Sequence, residues 1–156
     1  MSFATVFDFE KDFSRAFQCI PMAVRYKLDR SGVKLSLRQW KCFTEQDRRE
    51  LLARPCETPA EIAQYRDALA ALISSRAGEA PRFLPVEPAF AWENTSAVPE
   101  QIAAYARSLD IPPPTLIQWQ SLSALQRFTL MKLSLQNHDN VNFVPALKEF
   151  RLLAET

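Results

Sequence analysis

Residues 58–78 read TPAEIAQYRDALAALISSRAG. Thr58 offers a side-chain oxygen as N-cap, and Pro59 suits the first helical position. Glu61, three residues after the threonine, completes a capping box. Ile62, Tyr65, Leu69, Leu72 and Ile73 then recur at three-to-four spacing, an apolar stripe along one long helix. Gly78 closes the run at the position where a left-handed residue ends a helix, a conformation cheap only for glycine.

The same signals recur outward from this helix. Residues 20–40, IPMAVRYKLDRSGVKLSLRQW, hold a helix opened by Pro21 and running to about Arg30, with Gly32 at its end. FEKDFSRAF spaces Phe9, Phe13 and Phe17 by four. Thr44 caps EQDRRELLA, which stops before Pro55. Pro99 opens EQIAAYARSL, which stops before Pro112-Pro113-Pro114. Ser121 or Ser123 caps SALQRFTLMKLSLQ. A last helix is predicted over about 144–154, with Leu147, Phe150 and Leu153 inward. TVFDF, with Phe7 and Phe9 alternating, is the one extended candidate. Two glycines in 156 residues argue against a turn-rich β protein and against a glycine-rich phosphate loop. The predicted fold class is all-α, a compact multi-helix bundle in a single domain over 1–156. Its sub-units are about 7–78 and 98–156. Residues 79–97 form a Pro-rich connector whose Phe83, Leu84, Val86, Phe90 and Trp92 suit an extended strap packed across helices, with a binding loop as the sharper reading.

Two segments echo each other at an offset of 79. QWKCFTEQDRRELL (39–52) sets Gln39, Trp40, Phe43, Thr44 and Arg48 against Gln118, Trp119, Leu122, Ser123 and Arg127 of QWQSLSALQRFTLM. Upstream of each lies a proline-opened helix ending in Leu-Asp. This predicts a three-helix unit used twice. Each tryptophan precedes a Thr- or Ser-capped helix and packs under it, and Arg48 and Arg127 tie equivalent helix ends. Trp40, Trp92 and Trp119 are expected in the core.

The net charge is +1, yet residues 25–54 hold nine Lys/Arg against four Asp/Glu. Such a band is a solvated helix surface, or faces an acidic partner or nucleic acid. The first readings of its charges are an Arg25–Asp29 pair one turn apart and cations complementing a helix C-terminus. The surplus on Lys27, Lys34 and Arg38 is what a partner surface adds. Nucleic acid is the weaker reading, because no basic aromatic motif accompanies the band.

Cys19, Cys42 and Cys56 are odd in number and lack C-x-x-C spacing, so they are expected to be buried thiols without disulfides. His138 is the one histidine. With Asp139 it makes a base–orienter pair on paper, and with the cysteines a weakly supported metal site. The simpler reading of NHDNVNF is a turn in which Asn142 or Asp139 caps the last helix. No nucleophile elbow, zincin, P-loop or dinucleotide fingerprint occurs, so no catalytic residue, cofactor or metal is assigned. No apolar run reaches membrane-spanning length, and the opening residues lack a secretory signal, which points to the cytoplasm.

FDFEKDF, IPMAVRYKLDRSGVKLSLRQW and LQRFTLMKLSLQNHDNVNFVPALKEF resemble the nitrate reductase-associated proteins of cyanobacteria and other bacteria, over about 7–154. The resemblance implies a small soluble protein linked to nitrate assimilation. Its partner would be nitrate reductase or its maturation machinery, and it brings no known active site or cofactor. Within that frame the candidate contact residues are Arg25, Lys27, Lys34, Arg38 and Arg48.

Overall fold

The computed structural model describes residues 6–11, 19–87, 90–135 and 141–153. The chain is mostly helical and forms two compact units, Met1–Glu87 and Pro88–Thr156. The break falls inside the predicted connector. Among the described residues no helix is long and apolar enough to cross a membrane.

The first unit begins with a correction. Phe7 is extended, but Asp8–Glu10 is a 3-10 turn rather than a strand, and the Phe7 and Phe9 rings stack 5.5 Å apart. The turn aims Glu10 inward. Its carboxylate accepts from the Phe7 N–H at 3.1 Å and from the Met22 N–H at 2.8 Å. Met22 starts α1 (Met22–Ser31), so a buried anion satisfies an orphan donor at the positive end of the helix. The predicted helix carrying Phe13 and Phe17 lies outside the described residues. α1 ends at Gly32, whose φ is 72°.

Next come α2 (Leu37–Cys42), α3 (Glu45–Ala53) and α4 (Pro59–Leu72). Thr44 and Thr58 cap α3 and α4 as their spacing predicts. Tyr65, Leu69 and Ile73 are fully buried, each worth about 1.5–3 kcal/mol of burial. The long run beyond α4 finishes as a π-helical turn, Ile73–Ala77, before Gly78 at φ 66°.

The unit also holds a short sheet that an all-α reading leaves out. β1 (Val33–Lys34) pairs antiparallel with β2 (Arg82–Phe83), Val33 opposite Phe83 and Lys34 opposite Arg82. The Leu84 N–H then donates to the Gly32 oxygen at 2.7 Å. Antiparallel pairs alternate between bonded and non-bonded, so the Phe83 N–H and C=O point away from β1. Pro81 and Pro85 share that outward parity and carry no N–H. The edge is therefore blunted by two prolines.

The second unit contains a 3-10 turn (Ala91–Glu93), α5 (Glu100–Ser108), α6 (Leu116–Ser121), α7 (Ala124–Leu133) and α8 (Phe143–Glu149). The Trp92 ring meets Phe128 edge-on at 6.2 Å, and Tyr105 meets Phe143 at 4.8 Å. Ser123, not Ser121, caps α7. α8 is shorter than predicted: Phe150 follows it, and Arg151 at φ 62° turns the chain. Asn142 precedes α8 without a side-chain capping bond, and the alternative cap, Asp139, lies outside the described residues.

The echo has a structural counterpart. Each tryptophan rides in a short helix of its own, α2 or α6, which the sequence reading missed. Ser36 with Gln39, and Thr115 with Gln118, close a capping box at each start. A one-residue corner follows: Phe43 at φ −75°, ψ 151° and Leu122 at φ −76°, ψ 151°. Thr44 and Ser123 then cap the next helix. Trp40 and Trp119 are wholly buried under these corners. The upstream match moves, however. The left-handed residues are Gly32 and Asp110, so these correspond, rather than Asp29 and Asp110.

Candidate functional site

The five cations singled out from sequence do not form one surface. Lys27 is 2% exposed, so it is not a surface cation as expected. Its ammonium donates to the Leu52 oxygen at 2.6 Å and lies 5.9 Å from the Tyr65 ring centre. Burial depresses its pKa to about 8, against weaker upward pulls from Cys56 and Glu57. The Tyr65 hydroxyl donates to the Leu51 oxygen at 2.8 Å. Arg30 donates to the Cys56 oxygen at 2.9 Å and the Glu57 oxygen at 3.0 Å. Side chains from α1 and α4 thus satisfy carbonyls in the last turn of α3 and in the segment after it, where cations complement the dipole.

Arg25 is exposed and donates to the Ile20 oxygen at 3.1 Å. Lys34 is exposed on β1. Arg38 is exposed and held by Glu79. Arg48 is half-buried and donates to the Thr44 oxygen at 3.4 Å, a bond to the start of its own helix. Its counterpart Arg127 donates to the Leu122 oxygen at 2.5 Å and the Trp92 oxygen at 2.8 Å, which ties the end of α6 to the chain before α5.

An open groove of about 670 Å³ lies between the end of α1, the first half of α4 and the strap at 83–86. Arg30, Ile62, Ala63, Arg66, Asp67, Phe83 and Val86 line it, with Ser31 and Pro59. Arg66 lies over the Phe83 ring, 4.3 Å from its centre. The strap does not bury its apolar residues here as expected: Phe83, Leu84 and Val86 are 45%, 54% and 48% exposed. Its later half does pack. The Trp119 indole N–H donates to the Asn94 oxygen at 2.8 Å, and Gln120 to the Thr95 oxygen at 2.9 Å.

The remaining candidates separate. Cys56 is buried, and burial raises its thiol pKa to about 11, which makes it a poor nucleophile. Cys42 is exposed and Cys19 half-buried, so the expectation of three buried thiols holds for one. His138 and Asp139 lie outside the described residues.

The conserved nitrate reductase-associated protein family matches residues 6–150, nearly the whole chain. The chain belongs to this family. No curated protein and no solved structure matches it.

Parts of the segments that carry the resemblance point into the interior. IPMAVRYKLD contributes buried Ile20, Ala23, Val24, Tyr26 and Lys27, and NFVPALKEF contributes buried Phe143, Ala146, Leu147 and Phe150. The groove residues Arg30, Ile62, Arg66, Phe83 and Val86 were absent from the sequence-based site. The available signal was the aromatic, proline-spaced strap itself, too apolar for a linker.

Proposed function

We propose that the chain is a non-catalytic, cytoplasmic accessory protein that supports the production or activity of assimilatory nitrate reductase through direct protein contact. Family membership supports the physiological setting of this reading. The observation that carries the contact reading is the uncovered apolar strap, Phe83, Leu84 and Val86, beside exposed cations of the first unit. Of the sequence candidates, Arg25, Lys34 and Arg38 are exposed, Arg48 stands half-buried, and Lys27 belongs to the interior. The matched Trp corners support reading the chain as one helical motif used twice, a scaffold that presents surfaces.

The test measures nitrate reductase activity in cells with and without this protein, paired with binding of the purified reductase to the purified chain. Lower reductase activity in the deletion, with direct binding, is the expected result. Unchanged activity together with no binding removes the accessory reading.

A further inference from the structure

We propose that the strap edge at 82–86, with Lys34 and Arg66, docks an extended partner segment that alternates apolar and acidic residues. The inference rests on the accessory reading and specifies what the contact recognises.

Three features define the occupant. First, the apolar residues sit on a fixed support. A Cβ at Gly32 would come within 2.8 Å of both the Leu84 oxygen and Val86 Cγ2, so the strap runs tightly over the end of α1. The Leu84 hydrogen bond holds it there. Second, the ladder carries two like charges side by side. Lys34 stands directly opposite Arg82 on the ladder, an arrangement of like charges that destabilises a strand pair. Among the described residues neither has an ion pair, and Arg66 stacks on Phe83 instead of meeting an acid. The nearby acids are Asp67 in the groove and Glu87 after Val86, while Glu79 is engaged by Arg38. Carboxylates from a partner would relieve the Lys34–Arg82 repulsion.

Third, the ladder sorts these features onto two faces. Successive residues of a strand alternate in direction, so Phe83 faces the groove and Arg82 the opposite side. Val86, past the ladder, lines the groove together with Phe83, so a segment along the edge would straddle it, apolar side chains toward Phe83 and Val86, acidic ones toward Lys34 and Arg82. Pro81 and Pro85 leave Phe83 as the outward N–H donor between them. Recognition is therefore carried by side chains, not by a continuous added strand.

The experiment uses the full chain and a fluorescent peptide alternating Leu and Glu, with a Leu/Lys peptide as control, read by anisotropy across a salt series. The Leu/Glu peptide is expected to bind with salt-sensitive affinity. Binding should weaken at least tenfold in Lys34→Glu/Arg82→Glu and in Val86→Glu, and stay unchanged in Ile117→Glu, on an exposed position of the second unit. All three variants are at exposed positions, and circular dichroism verifies their folds. Equal binding of both peptides, no binding, or indifference to the strap substitutions overturns the proposal. So does a self-associated chain that Val86→Glu converts to monomer in sedimentation, which makes a second copy the occupant. Purified reductase separates the two readings: capture by wild type and strap variants alike sinks this docking face and leaves the accessory role, whereas no capture at all, with reductase activity unchanged by the deletion, sinks the accessory role.

Discussion

The Lys27 ammonium is bonded to the Leu52 carbonyl oxygen across 25 residues of chain, at 2.6 Å and inside the protein. A charge that reads as surface decoration is the cap of another helix. In the second unit Gln101 of α5 does a similar task, donating to the Met131 oxygen at 2.9 Å in the last turn of α7. In both units the first helix finishes the helix that follows the tryptophan corner.

Lys27 should make stability rise on the alkaline side. Its pKa is about 8 folded against an ordinary lysine value of 10.5, so between these the unfolded chain holds the proton more tightly. Raising pH then favours the fold, by up to about 3 kcal/mol over that window and with no contribution below it. Cys56 acts oppositely from pH 9 upward, because its folded pKa of about 11 lies above the unfolded 9.0. Urea unfolding of wild type and Lys27→Met at pH 8 and 9, where the folded-state thiol is still protonated, reads the lysine. The difference should move toward wild type from pH 8 to 9; a flat difference contradicts the buried cation.

Gly32→Ala and Gly78→Ala should differ. Both glycines have positive φ, which costs any other residue about 1–2 kcal/mol. At Gly32 the added methyl also meets the Leu84 oxygen, whereas at Gly78 it meets nothing within 4 Å. Thermal unfolding should show the larger loss for Gly32→Ala, together with greater protease sensitivity of the strap.

Glu10→Ala should destabilise by about 1–3 kcal/mol, since it strands the Phe7 and Met22 N–H groups at a buried helix start. Denaturant titration gives the value. A loss below a few tenths would show that water replaces the carboxylate freely.

Thr44→Ala and Ser123→Ala should cost similar amounts, about 1 kcal/mol each. Their caps accept from Asp47 at 3.0 Å and Gln126 at 3.1 Å in matching backbone geometry. A severalfold inequality in denaturant unfolding would argue that the two corners are not energetically equivalent.

Features written in local chemistry were legible in the sequence. Thr58 with Glu61, Thr44, Ser123, Gly32 and Gly78 all act within a few residues of themselves. Ser36-x-x-Gln39 and Thr115-x-x-Gln118 were equally local and were overlooked, because their helices run only six residues. Lys27, Glu10 and the β1–β2 ladder depend on partners far away in the chain, which periodicity does not encode. The groove was illegible for the same reason. Arg66 and Phe83 belong to different segments, and each alone is an ordinary surface arginine or connector aromatic.

The connector is fastened at both ends to the part it adjoins: Leu84 to Gly32 on one side, and Asn94 and Thr95 to Trp119 and Gln120 on the other. Cutting the polypeptide between Glu87 and Pro88 would therefore leave each fragment with the piece it folds against. The two fragments, expressed as separate chains, offer a system in which the autonomous folding of each unit can be measured directly.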